Sequence, residues 1–217
     1  METEIEIKFY VTNADLPRIR KDIGRMGARY TGKDFETNIL FETKEKTLSS
    51  RNAILRLRQG SKNTLCYKEP LHLGKVSQQF KVKEEIELGV DDFQKARAIL
   101  KKLGFHELMT YERKRETFHF GESKILIDEM PFGFFLEIEG SGEDIRSIVD
   151  KLGLDWRKRI RKSYLEIFED LRQRVDLSFR DLTFKNFGKI DMKGLDFDNF
   201  ISSYWEKTPA DSGKNVV

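Results

Sequence analysis

The sequence predicts an α+β fold: a curved, mainly antiparallel sheet with helices packed outside it. Three observations carry this. Charged and apolar residues alternate in one segment after another, beginning with EIEIKF at residues 4–9, which is the period of a strand with one buried face. Two stretches between such segments have apolar residues at helical spacing and end in Gly. The order itself recurs: EIEIKF…IGRMGA returns as EEIEL…LKKLGF, each copy followed by charged strands, so a strand–helix–strands unit is duplicated.

Taken in order, Asn13 is placed to cap a first helix, with Pro17 in its first turns and Leu16, Ile19, Ile23 and Met26 on its apolar face. Strands follow near 36–42, 53–59 and 63–69, then a long one over about 77–88. A second helix starts at Asp91 or Asp92 and presents Phe93, Ala96, Ile99, Leu100 and Leu103 before Gly104. Strands near 107–120, 124–130 and 134–140 come next, and helices over about 142–152 and 163–173. This divides the chain into a domain over 1–173 and a C-terminal extension over 174–217, rich in Phe and Asp. The extension reads as a packed helix ending in a disordered TPADSGKNVV, with docking or a homodimer contact as its alternative use.

Composition narrows the function. With 217 residues there is room for one good core, and 17 Phe argue against disorder. Forty basic and 37 acidic groups leave a net charge of only +3, which is no nucleic-acid-binding excess; no nucleic-acid partner is expected. A single cysteine, Cys66, fits a reducing compartment. The start, METEIEIKF, lacks the basic and apolar regions of a signal peptide, and no run approaches the ~20 apolar residues of a membrane span. The expectation is a cytoplasmic protein with no membrane partner.

The charged strand faces carry the chemistry. Glu4, Glu6 and Lys8 share a face, as do Arg56 with Arg58, Gln79 with Lys81, Lys83, Glu85 and Glu87, Tyr111 with Arg113 and Arg115, and Glu137 with Glu139. Lys68 and Asp128 lie on two more such faces. One solvated sheet face with Lys–Glu cross-strand pairs would give the pattern for any single strand. Its repetition over six strands, with paired Arg and ExE spacing, favours charged faces that look at one another, as in a sheet closed around a lumen. Arg there suits phosphate oxygens, and clustered carboxylates are hard ligands for Mg²⁺ or Mn²⁺. Since carboxylates and phosphates repel, the two sets together point to phosphate with metal.

These residues resemble the CYTH superfamily of triphosphate tunnel metalloenzymes, which includes class IV adenylate cyclases, thiamine triphosphatases and inorganic triphosphatases. The ordered matches are Glu4-x-Glu6-x-Lys8, LRLR (Arg56, Arg58), YKEP (Lys68), KEEIE (Lys83, Glu85, Glu87), RKR (Arg113, Arg115), ILIDEMPFGFFLEIEG (Asp128, Glu137, Glu139) and SYLEI (Ser163, Tyr164), over about residues 2–172. The resemblance implies a closed antiparallel eight-stranded β tunnel. It implies that Glu4, Glu6, Glu137 and Glu139 hold catalytic Mg²⁺ or Mn²⁺, with Asp128, Glu85 and Glu87 as further metal residues. It assigns the triphosphate to Lys8, Arg56, Arg58, Lys68, Lys83, Arg113 and Arg115. Two departures stand out: Arg113 replaces a common Lys, and Asn38 stands where cyclase-like members carry Asp, which weighs against cyclisation.

The expected function is therefore metal-dependent hydrolysis of a triphosphate compound such as tripolyphosphate or ATP. The alternative is a class IV adenylate cyclase, in which the ribose 3′-hydroxyl of ATP attacks the α-phosphorus and releases pyrophosphate. A non-catalytic polyphosphate or nucleotide sensor comes third, because it would not need the carboxylates. His72, His106 and His119 are expected in loops or on the surface, outside the chemistry.

Overall fold

A computed structural model describes residues 2–190 and 196–206, the side chain of residue 206 excepted. Eight strands form the framework: β1 (Glu2–Val11), β2 (Arg29–Glu42), β3 (Ile54–Gln59), β4 (Thr64–Pro70), β5 (Lys81–Gly89), β6 (His106–Phe120), β7 (Ser123–Met130) and β8 (Gly133–Glu139). They close into an antiparallel barrel in the order β1-β5-β4-β3-β2-β6-β7-β8, with β8 returning to β1. Around it lie α1 (Leu16–Arg25), α2 (Lys75–Gln79), α3 (Phe93–Lys102), α4 (Gly142–Lys151), α5 (Tyr164–Val175), α6 (Phe184–Phe187) and α7 (Phe197–Glu206). No helix among the described residues is long and apolar enough to cross a membrane.

The internal duplication is visible in the topology. The unit β1-α1-β2-β3-β4 returns as β5-α3-β6-β7-β8, and each unit's last strand pairs with the first strand of the other. Two of the core's three clusters lie outside the barrel wall. Ile7, Phe9 and Ile138 pack under Ile19 and Ile23 of α1 and Ile148 of α4, while Ile39 and Leu57 pack under Phe93 and Leu100 of α3. A third cluster joins Leu40, Tyr111 and Phe135 to Phe168 and Leu171 of α5, Phe187 of α6, and Phe200 and Ile201 of α7. The described residues after 173 thus pack on the barrel. Leu182 exchanges backbone hydrogen bonds with Thr110 and Glu112 of β6. The expected disordered stretch TPADSGKNVV lies outside the described residues.

Several local expectations need correction. Asp15, not Asn13, occupies the N-cap position of α1, but its side chain caps no helix N–H: Thr12 Oγ1 accepts from the Asp15 backbone N–H and donates to its carboxylate. Strand β2 starts at Arg29, seven residues before the apolar alternation, because pairing with β6 rather than burial defines that part. Residues 77–79 are helical: Gly74 takes φ of 55°, α2 follows, and Gln79 accepts from Arg146 instead of joining the strand face. Ile99 and Leu103 are 58% and 68% exposed, because α3 reaches the barrel only through Phe93, Ala96 and Leu100. His106 and His119 belong to β6, and His119 lines the lumen.

Buried Glu42 ends β2 and organises the loop that follows. Its carboxylate accepts backbone N–H bonds from Thr43, Leu48 and Ser49. Burial alone would raise its pKa, but these donors and the Ser49 hydroxyl hold it at about 2. With the folded pKa below the ordinary carboxyl value of 4.5, its contribution to stability is present above pH 4.5 and lost as pH falls toward about 2. Glu42→Gln should flatten this part of the acid-unfolding profile. Glu42→Ala, leaving buried donors unpaired, should cost about 1–3 kcal/mol in urea unfolding at pH 7.

Candidate active site

The inward faces of the strands enclose a lumen of about 900 Å³. Alternation explains its lining: each strand turns apolar side chains out to the helices and charged ones in. At one end the lining becomes apolar, with Leu40, Ile54, Tyr111 and Tyr164 against the cluster under α5. Among the described residues eleven Lys and Arg and nine Asp and Glu line the lumen, so it is nearly neutral within itself. A polyanion entering it would need added positive charge.

Three carboxylates, Glu4, Glu6 and Glu139, each place an oxygen within 4.8 Å of the others. The register accounts for this, since Glu4 and Glu6 are two apart on β1 and Glu139 of β8 lies directly opposite Glu6. Burial, reinforced by Glu137 and Glu4, raises the pKa of Glu139. Three hard oxygen donors this close together, one of them with its ionised form opposed by burial, fit a divalent cation such as Mg²⁺ or Mn²⁺. Cations already border it: Lys68 donates to Glu4 at 2.6 Å, Lys81 to Glu6, and Lys124 to Glu139 at 3.3 Å.

The other predicted carboxylates are placed differently. Asp128 is fully buried and held by Arg115 in two bonds of 2.6 Å, by Arg113 at 3.4 Å and by the Tyr164 hydroxyl at 2.8 Å. Burial works to raise its pKa, but Arg115 and Arg113 prevail and hold it at about 2. Glu137 accepts from Arg115 at 2.8 Å and lies 3.4 Å from Lys8 Nζ. Asp128 is bound by cations and the Tyr164 hydroxyl, whereas Glu137 borders the Glu4–Glu6–Glu139 cluster, sharing Lys8 with Glu6. Glu85 and Glu87 belong to β5, where Lys68 reaches Glu85 at 3.0 Å and Arg58 reaches Glu87 at 3.1 Å.

All seven predicted phosphate contacts line the lumen: Lys8, Arg56, Arg58, Lys68, Lys83, Arg113 and Arg115. Lys8 is 2% exposed, paired with Glu137 and lying 4.4 Å above the Tyr164 ring. Lys83 differs from the rest in having no carboxylate at ion-pair distance among the described residues. Burial, with Lys81 beside it, lowers its pKa to about 8. It is a cation without a fixed counter-charge. Sequence reasoning passed over Glu36, whose carboxylate takes 2.6 Å from Arg113 Nε and 3.5 Å from Arg58. It also read Lys81 on the charged face without giving it a role.

A family model described as the CYTH domain matches residues 2–186. The chain belongs to the CYTH family. MJ0240 of Methanocaldococcus jannaschii, named as a candidate adenylate cyclase, is 30% identical over 175 residues, spanning 75% of this chain and 98% of its own. The PH1819 structure from Pyrococcus horikoshii is similar at a TM-score of 0.64 and 25% identity, over 78% of this chain and 99% of that one. HpAC1 from Hippeastrum, a candidate adenylyl cyclase with a dominant triphosphatase activity, shares the fold at a TM-score of 0.54 and 17% identity, over 78% and 96% of the two chains. Among the described residues of this CYTH chain, neither Trp156, in a 3₁₀ turn, nor Trp205, on α7, lines the lumen.

Proposed function

We propose that the chain is a divalent-metal-dependent triphosphatase that binds its substrate in the barrel lumen. The observation that carries this is one lumen holding a phosphate-type wall of Arg and Lys beside a three-carboxylate cluster. Arg56, Arg58, Arg113, Arg115, Lys68 and Lys83 bind and orient the triphosphate, the arginines through planar paired donors. Glu4, Glu6 and Glu139 would hold Mg²⁺ or Mn²⁺, which supplies charge neutralisation at the phosphate oxygens. Water attacks the terminal phosphorus in line, the bond to the bridging oxygen breaks, and diphosphate and orthophosphate leave from tripolyphosphate. Lys8, Glu137 and Tyr164 fix the geometry of the carboxylate wall from beneath.

Cyclisation of ATP is the second reading, favoured by the name of the M. jannaschii relative. Hydrolysis is preferred because the lumen offers little to a purine. Among the described residues its aromatic lining is Tyr111 and Tyr164, both packed into the core, and His119. A sensor without catalysis would leave the carboxylate cluster without a use. The compartment of the protein, read as the cytoplasm, remains part of the proposal, as does a homodimer.

The test is orthophosphate release from tripolyphosphate with Mg²⁺ or Mn²⁺, with loss of release in excess EDTA; release that persists in EDTA would overturn the metal assignment. Lys83→Met, which removes the cation lacking a counter-charge, should raise KM for tripolyphosphate about tenfold, the worth of one charge-assisted hydrogen bond, with little change in kcat. An unchanged KM would exclude Lys83 from the phosphate wall.

A further inference from the structure

The duplication that builds the barrel also duplicates its carboxylate cluster, with one substitution. In the first unit Glu4 and Glu6 lie two apart on β1, and the residue opposite Glu6 on β8 is Glu139. In the second unit Glu85 and Glu87 lie two apart on β5, and the residue opposite Glu87 on β4 is Cys66. The ligand atoms of Cys66, Glu85 and Glu87 again all lie within 4.8 Å of one another. Two residues before Cys66, on the same face of β4, Thr64 is 7% exposed and its Oγ1 has no hydrogen-bond partner among the described residues.

We infer that Cys66, Glu85 and Glu87 form a second cation site, selective for a thiophilic divalent ion of the Zn²⁺ class. A sulfur in place of the third carboxylate oxygen shifts preference from Mg²⁺ toward Zn²⁺ or Cd²⁺, for which thiolate is a strong ligand. The neighbouring cations can yield. Arg58, on Glu87 at 3.1 Å, has Glu36 as a second partner at 3.5 Å, and Lys68, on Glu85 at 3.0 Å, has Glu4 at 2.6 Å. With the Glu4–Glu6–Glu139 cluster free of metal, neither is left without a counter-charge when an ion takes Glu85 and Glu87, and Arg56, 3.7 Å from Glu87, keeps the Tyr111 hydroxyl as acceptor. The Cys66 thiol, which donates to Glu85 at 3.0 Å, gives its proton to solvent as the sulfur takes the ion. Burial, with the hydrogen bond to Glu85, pushes the Cys66 thiol up to about 12, and Arg56, opposite Cys66 on β3, works against them in favour of the thiolate.

The test is a titration of the full chain with Cd²⁺, read by the ultraviolet sulfur-to-metal charge-transfer band. Because the chain has one cysteine, the band reports on Cys66 alone. The expected result is a saturable one-to-one band, resistant to a large excess of Mg²⁺, reversed by Zn²⁺ and absent from Cys66→Ser. Glu87→Gln keeps the thiol and should weaken Cd²⁺ binding tenfold or more. No band in the wild type would overturn the inference, as would equal affinity in Glu87→Gln or in the urea-unfolded chain, since either would mean capture by the thiol alone. The titration uses no turnover, so its outcome is independent of whether the lumen hydrolyses triphosphates.

Discussion

Glu6→Gln will lose metal-dependent turnover while keeping its fold. Glu6 is 5% exposed, faces Glu139 across the β1–β8 register and belongs to the three-oxygen cluster. Removing its charge weakens the hold on a divalent ion whose stabilisation of phosphate charge is worth several kcal/mol, so kcat/KM should fall roughly a thousandfold. The fold survives because Lys8, 3.8 Å from Glu6, keeps Glu137 at 3.4 Å, and the amide has the shape of the carboxylate and keeps an oxygen to accept from Lys81. Thermal unfolding within a few degrees of wild type, with activity lost at every Mg²⁺ and Mn²⁺ concentration, is the expected pair of results. Wild-type activity would remove Glu6 from the metal site.

Asp128→Ala carries the largest expected cost to stability. The side chain is wholly buried beneath Arg113, Arg115 and Tyr164. Its removal leaves two buried guanidinium groups short of a carboxylate, a loss of about 3–5 kcal/mol. For a chain of this size that corresponds to a fall in Tm of roughly 10 °C. Acid should act in the same direction. Arg115 and Arg113 outweigh burial and set the folded pKa at about 2, below the ordinary aspartate value of 3.8, so this stabilisation is present above pH 3.8 and disappears as pH falls toward 2. The difference in stability between wild type and Asp128→Ala should therefore shrink between pH 4 and pH 2. A constant difference would mean that Asp128 acts by packing and not by charge.

Much of this site was legible because strand alternation is local. EIEIKF, LRLR, KEEIE and LEIE each show which residues share the charged face, and all of these faces point into the lumen. Closure was less legible, since it depends on β1 pairing with both β5 and β8, far away in the chain; there the family resemblance supplied what the pattern could not. Glu36 could have been found by running the alternation back from Ile39 and Phe41, whose outward faces leave Glu36 and Asn38 inward. Which carboxylates face arginine and which face one another was beyond sequence. Asp128 and Glu137 look like metal ligands beside Glu139, and only side-chain placement ties them to Arg115. Ile99 and Leu103 erred the other way, since helical spacing cannot tell how wide a neighbour the helix will meet.

The most direct measurement is phosphorus NMR of the purified chain with tripolyphosphate and, in a separate tube, ATP, each with Mg²⁺ and then Mn²⁺. Hydrolysis in the lumen predicts growing orthophosphate and diphosphate signals from tripolyphosphate, absent in EDTA and in Glu6→Gln. Pyrophosphate with cyclic AMP from ATP, and an unchanged tripolyphosphate spectrum, would contradict it and make the chain a cyclase.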